Sequence, residues 1–330
     1  MLLSALACSA QQPGPVTQRP IQSATELVKV ETSVLDHDGN FLGGLAQSSF
    51  RIFDNGVEQP IAFFEPVEAP AQVLVMLETS PAVYLISEQH LAAAYALLDG
   101  LAADDEVALV TYDAAPRPAL AFTADKPALL AALNRAQYTI GMADLNFYDS
   151  LSTVLDWLAP VTGKRAIVVL TTGFDSSPPA HWESLARKLR GNDVVIFSVA
   201  LGGALRAAPP KKAKQKKSAS TTNDSNEQAL AESITAAGFA KADDGLRSLA
   251  AITGGRAYFP QSDKDFASIY REIAVALRHQ YVLGIAPAHD NQFHPLNVEV
   301  LGSSSHSDGR QTNQAQYRVF ARAGYLAPGP

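Results

Sequence analysis

The sequence predicts an α/β protein: a doubly wound, mostly parallel sheet, with a companion antiparallel β module built from both ends of the chain. Three observations predict it. Residues 73–77 are an unbroken apolar run that ends on a carboxylate, Glu78; such a run reads as a strand buried on both faces. From there to about residue 280, strand patterns alternate with helical ones, which implies right-handed crossovers. Before and after that region the apolar residues recur at period two, the mark of half-buried antiparallel strands.

In chain order, residues 1–25 read as leader and linker. The opening MLLSALACSAQQPGP has a short apolar core and then small residues. It resembles the end of a secretory signal, without the basic segment that opens one. Ala5-Leu6-Ala7-Cys8 loosely resembles a lipoprotein cleavage box in which Cys8 would carry lipid; its leucine stands one position late. The expectation is an exported protein (periplasmic, outer-envelope or secreted) whose mature chain starts near Gln11. Nothing else approaches the ~20 apolar residues of a membrane span.

Residues 26–68 form the first half of the β module. Val28, Val30, Thr32 and Val34 share one face, with Lys29, Glu31 and Ser33 opposite. Phe50 and Ile52 alternate, and Asn55-Gly56 signals a hairpin that returns through Ile61 and Phe63. Residues 69–280 form the α/β domain. Its strands are expected at 73–78, 106–112, 165–171 and 193–200, with a short edge strand at 119–122. A helix starts at Ser87, with Leu91, Ala94, Tyr95 and Leu98 as its apolar face and Gly100 at its end. Pro127 fits the first turn of the next. Phe147, Leu151, Val154, Leu155 and Leu158 line a third, and Pro178-Pro179 open a fourth that ends at Gly191.

Residues 203–241 read as a basic, low-complexity insertion. Lys211, Lys212, Lys214, Lys216 and Lys217 lie in a Pro/Ala/Ser/Thr background with no apolar face. No aromatic residue interleaves the lysines, so a solvated loop is favoured over a nucleic-acid or lipid contact. Order returns near Asp243, with a helix over Leu246, Leu249, Ala250 and Ile252, a short strand at 256–259, and a long helix capped by Ser262. Residues 281–326 supply the module's remaining strands around Tyr281, Leu296 and Tyr317.

At 330 residues, 47% of them apolar, the chain has room for both units. A net charge of −7 argues against nucleic-acid binding by the whole chain. A single cysteine excludes an intrachain disulfide and leaves the redox compartment open. Membrane contact would run only through a lipidated Cys8 or the lysine-rich stretch.

The candidate site lies where the first α/β strand ends. Glu78, Thr79 and Ser80 place an acid and two hydroxyls just past a strand's carboxyl end, before Pro81, where doubly wound folds collect functional groups. The alternative is that the hydroxyls cap a turn and Glu78 faces solvent.

Several strings resemble the von Willebrand factor A domain, and more closely its acidobacterial relatives: SSFRIFDNGVEQPIAFF, VLVMLETS, DEVALVTYD, FYDSLSTVL, RAIVVLTTG, LAAITGGRAYFP, LRHQYVLGI and VFARAGYLAP. They span nearly the whole chain from residue 26. The resemblance implies a protein-binding domain, not an enzyme, with a metal-ion-dependent adhesion site. In that site Asp-x-Ser-x-Ser ends the first strand, a middle loop gives a threonine, and an aspartate ends the fourth strand. Mg²⁺ or Mn²⁺ takes near-octahedral oxygen ligands there, and a partner's carboxylate completes the shell.

This chain departs from that pattern. Glu78 replaces the first aspartate, and its extra methylene is expected to push the carboxylate outward. Ser80 is kept, Ala82 replaces the second serine, Leu145 falls at the threonine, and Thr172 replaces the strand-four aspartate. Asp144, Asn146 and Asp175 lie in the right loops to substitute, though they also read as turn and cap residues. The resemblance therefore implies a degenerate site with no cofactor; an ion would be left with Glu78 and Ser80. A protein partner is expected at the loops carrying Glu78, Thr79, Ser80, Ala82, Asp144, Asn146, Thr172 and Asp175.

Two other readings stay open. The seven histidines show no HExxH and no paired zinc spacing, and no G-x-S-x-G elbow is present. A hydrolase-like site would have to use Glu78 with Asp175 as a carboxylate pair. Alternatively, a cell-envelope scaffold would bind through an exposed edge of the β module.

Overall fold

The computed structural model describes residues 27–84, 87–139, 144–161, 165–203, 222–301 and 317–329. The leader, the lysine cluster and the polar loop 302–316 lie outside the described residues.

The strand that ends on Glu78 is the centre of the α/β domain. It is β5 (Gln72–Glu78), after β1 (Val28–Leu35), β2 (Phe50–Asp54), β3 (Val57–Gln59) and β4 (Phe63–Glu68). Next come α1 (Pro81–Tyr84), α2 (Ser87–Gly100), β6 (Glu106–Tyr112), β7 (Pro116–Thr123), α3 (Lys126–Asn134) and α4 (Phe147–Leu158). Then follow β8 (Arg165–Thr171), α5 (Pro179–Arg190), β9 (Val195–Ala200), α6 (Thr222–Thr253), β10 (Ala257–Tyr258) and α7 (Phe266–Arg278). The chain closes with β11 (His279–Ile285), β12 (Phe293–Val300), β13 (Arg318–Ala321) and β14 (Gly324–Leu326).

The six-stranded sheet has the order β10-β9-β8-β5-β6-β7. β5 pairs in parallel with β6 and β8, and only β7 runs antiparallel, at the edge. Period-two alternation divides β5 between two cores. Val73, Val75 and Leu77 pack with α2, α3 and α7 residues such as Leu97, Leu129 and Ile273. Leu74 and Met76 pack with Leu151, Leu185 and Leu246 from α4, α5 and α6. Burial on both faces explains why the strand carries no alternating polar residue.

The β module is a sandwich of two antiparallel four-stranded sheets, β13-β1-β11-β4 and β14-β12-β2-β3. Strands from both ends of the chain enter each sheet, as the sequence predicts. Val30, Val34, Phe50, Ile52, Tyr281, Leu283, Leu296 and Val298 fill its interior. Asn55 and Gly56 both take positive φ, 49° and 79°, at the β2–β3 hairpin, the geometry a two-residue turn demands.

Three sequence expectations are corrected. The return strand of the Asn55-Gly56 hairpin ends at Gln59, and Phe63 instead opens β4, which pairs with β11 in the other sheet. β1 is not simply half-buried: Ser33 and Leu35 are buried beside Thr32 and Val34. The reason is that Leu35, on the outer face of its sheet, joins the core shared with Phe266 and Tyr270 of α7. The helix expected from about Asp243 begins at Thr222, so 222–241 is helical backbone. Its alanines, glutamates and glutamine favour helix. The short strand β14 has no sequence counterpart.

The two units share covalent and ionic joints. α7 runs into β11 with His279 as its C-cap. Glu272 of α7 accepts from Arg256 at 3.1 Å and Arg318 at 2.8 Å, and from the Tyr258 hydroxyl at 3.1 Å. Arg278 reaches Glu68 of β4 at 3.7 Å while also holding Asp104 at 2.9 Å and Asp105 at 3.3 Å, so one guanidinium meets carboxylates of both units.

Within the sandwich, buried His294 stands between two carboxylates: Nδ1 lies 2.7 Å from Asp54 and Nε2 3.1 Å from Asp290. Asp54 also accepts the Tyr325 hydroxyl at 2.9 Å. Hydrogen bonds to Asp54, then to Asp290, raise the imidazole above its ordinary value. A raised folded-state value favours the charged form, so its stabilisation is full below about pH 6.5 and is lost as pH rises through that raised value. Urea midpoints should therefore fall from pH 6 to pH 9 more steeply in the native chain than in His294→Gln. Equal slopes would assign the titration elsewhere.

Candidate functional site

The site follows from strand register. Glu78 and Tyr112 are paired residues at the ends of β5 and β6. Thr171 ends β8, one step past the paired Leu77 and Leu170. The three side chains therefore project on the same face at the carboxyl ends of three adjacent strands.

They form one closed network. Glu78 is fully buried. Its Oε1 accepts from Ser80 Oγ at 2.6 Å and Thr172 Oγ1 at 2.9 Å. Its Oε2 accepts from Thr171 Oγ1 at 2.7 Å and the Thr172 amide at 2.6 Å, with the Tyr112 hydroxyl at 3.4 Å. Tyr112 and Thr171 hydroxyls lie 2.7 Å apart. Burial, and then the Glu78 charge, push the Tyr112 phenol well up, so it stays protonated as a donor.

The expectation that the extra methylene carries the Glu78 carboxylate outward is thus corrected. Hydroxyl and amide donors surround an inward position, and an anion follows its donors. Thr79, Ser80 and Thr172 are buried with it. Thr79 is stitched to its neighbours: its amide and hydroxyl donate to the Tyr112 carbonyl, at 2.8 and 3.1 Å.

Around this network stands a ring that sequence reading missed. Asp113, just past β6, is buried and takes a two-point contact from Arg117 at 2.7 and 2.8 Å. The Thr139 hydroxyl adds a 2.5 Å bond, and Arg117 reaches Thr79 Oγ1 at 3.3 Å. The Arg117 hydrogen bond, chiefly, lowers the Asp113 carboxyl to about 2. Arg117 itself is half exposed, at 50% of its side-chain surface. The sequence signal was there: DAAPR puts acid and base four apart across a turn.

The remaining candidates separate. Asp144 is exposed, and Asn146 caps α4 while its side chain donates to the Ala114 carbonyl at 2.9 Å. Leu145 is buried, its amide donating to Ser176 Oγ at 2.9 Å. Asp175 accepts the Phe147 amide at 3.2 Å and the Ser177 hydroxyl at 2.8 Å. It serves a different network from Glu78. Ala82 lies in α1, and its side chain is outside the described residues.

The family model for the von Willebrand factor type A domain matches residues 87–270 of this chain. No curated protein matches it. Among solved structures, an aerotolerance-related membrane protein from Bacteroides fragilis is similar at 16% identity and a TM-score of 0.42, covering 62% of this chain and 98% of that one. A von Willebrand factor type A protein from Catenulispora acidiphila gives 12% identity and a TM-score of 0.44, covering 92% and 75%. The von Willebrand factor domain of a type V pili tip protein from Porphyromonas gingivalis gives 20% identity and a TM-score of 0.28, covering 34% and 44%.

Two predictions attach to the buried network and its ring. Glu78→Ala removes the acceptor that four hydroxyls share and should cost at least about 3 kcal/mol in urea unfolding, with Glu78→Gln losing less. Equal stability of the native chain and both variants would show that the carboxylate is idle. The lowered Asp113 value gives stability that is present above about pH 4 and lost as pH falls toward about 2. Asp113→Asn should flatten the acid limb of the unfolding midpoint against pH.

Proposed function

The chain belongs to the von Willebrand factor type A domain family, and on that premise we propose that it is an exported protein-interaction domain whose strand-end face works without a metal ion. The single observation that carries the reading is the Glu78 carboxylate: wholly buried, with both oxygens already accepting hydrogen bonds. The donor set does not fit a hard divalent cation, which takes six or more oxygens from carboxylates, hydroxyls and water. Glu78 is spent on hydroxyls, Leu145 offers no side-chain oxygen, and the Thr172 hydroxyl donates to Glu78. For Glu78 to ligate an ion directly, its carboxylate would have to give up hydrogen bonds to Ser80, Thr171 and Thr172.

The outer ring then meets the partner. Arg117, Asp144, Ala114 and Ser176 are exposed around the buried network, and Arg117 presents a fixed cation braced by Asp113 and Thr79. A guanidinium held by two side chains loses little freedom on binding a partner's acceptor. Export rests on the leader's composition. Among the described residues no helix is long and apolar enough to cross a membrane.

Calorimetric titration with Mg²⁺ or Mn²⁺ should show no saturable heat at micromolar concentration. Saturable micromolar binding that Glu78→Gln removes would overturn the metal-free reading. Full-length bait should capture a protein from envelope extract that the Ala114→Arg/Asp144→Arg double variant fails to capture. Identical captures would move the partner surface off this face.

A further inference from the structure

A cavity of about 360 Å³ opens on the flank of the strand-end loops, between α4, α5 and α6. Its size is that of a small-ligand site. Tyr148, Phe174 and Trp182 supply aromatic wall, and Asp175 and Glu183 supply charge. The Tyr148 and Trp182 rings stand 5.2 Å apart, tilted by 53°.

Several of its polar groups are unused. Asp175 spends one oxygen on the Phe147 amide and Ser177; the other is shut from water and has no hydrogen-bond partner. Among the described residues no cation pairs with Asp175 or Glu183, whereas Asp244 at the rim is paired with Arg247 at 3.2 Å. Among the described lining residues Lys241 is the lone cation, against Asp175, Glu183 and Asp244. Burial, and then the Asp175 charge, push the Tyr148 phenol up, which keeps a neutral ring beside the carboxylate.

α6 is also shaped for close approach. A Cβ on Gly245 would stand 2.6 Å from the Tyr148 hydroxyl, and one on Gly238 would stand 3.0 Å from Phe174. Glycine in mid-helix is unfavourable for the helix itself. Here it lets the helix lie against the two rings that wall the cavity.

We propose that this cavity binds a cationic side chain, lysine or arginine, carried on a segment of the partner protein. The aliphatic stem lies against Trp182, Tyr148 and Phe174, and the charged head meets the exposed Glu183, with the Asp175 oxygen that is shut from water attracting it through space from behind the wall. Carboxylates that no described cation pairs with, set among ring faces, select a cation over an anion or a neutral chain of equal length.

Only the source of the cation rests on the partner-binding reading. The test uses the full chain carrying Trp157→Phe, which leaves Trp182 as the sole tryptophan. Trp182 fluorescence is titrated with acetylated, amidated Ala-Lys-Ala and Ala-Arg-Ala, and with Ala-norleucine-Ala and Ala-Glu-Ala. The cationic peptides should bind saturably, about tenfold more tightly than norleucine. Asp175→Asn keeps an acceptor oxygen for the loop, and Glu183→Gln lies on an exposed helix face; each should weaken lysine binding about fivefold. Norleucine or glutamate binding as tightly as lysine, no saturable change with any peptide, or unchanged affinity in both variants would overturn the proposal. The capture experiment on the strand-end face reads different residues, so either reading can fail alone.

Discussion

Glu78 ends the central strand, and its two oxygens collect donors from the β5–α1 turn, from β6, and from the end of β8. A charge in a protein interior is tolerated only when its lone pairs are filled. That requirement ties the carboxyl ends of three strands into one rigid floor. The loops above it inherit their positions: the Thr79 carbonyl holds the Thr139 amide, and the Asp113 carbonyl holds the Asn146 amide. The face is therefore preorganised by hydrogen bonds that lie beneath its surface.

The same logic explains the charges that do reach solvent. Asp113 is buried, and Arg117 is half exposed. The pair places its negative member below the surface and its positive member at it. On a binding face, a fixed guanidinium gives direction as well as charge. Beside it, the α4–α5–α6 cavity has the opposite sign, with Asp175 and Glu183 in its wall. The two flanks would thus suit a partner with complementary charge at two separated points.

The β sandwich is joined firmly to this domain. Its β13-β1-β11-β4 sheet packs one face on its own interior and the other toward α7, through Leu35 and Phe320. Glu272, with Arg256, Arg318 and Tyr258, adds a charged joint at 8% exposure. Truncating either end of the chain would remove strands from both sheets, since β1 and β2 pair with β11, β13 and β12. The sandwich therefore clamps the α/β domain at its two entry points.

Local pattern alone was enough to set most of the elements and to place Glu78 at the end of the central strand. The apolar run before Glu78, the alternation of strand and helix, Asn55-Gly56 and the terminal period-two strands are all legible residue by residue, because neighbours along the chain set secondary structure. The helix start at Thr222 was obscured because the stretch opens on Thr, Asn, Asp and Ser, residues that favour turns and caps, before its alanines begin. The direction of Glu78 was not legible at all. Its donors in β6 and β8 stand 34 and 93 residues away, and only sheet register brings them to one side of one strand. The cavity is likewise a product of packing, since Asp175, Trp182 and Gly245 become neighbours only when α5 and α6 close over the same sheet face. Both features had to wait for the folded chain, because a charge turns toward whichever donors the fold delivers.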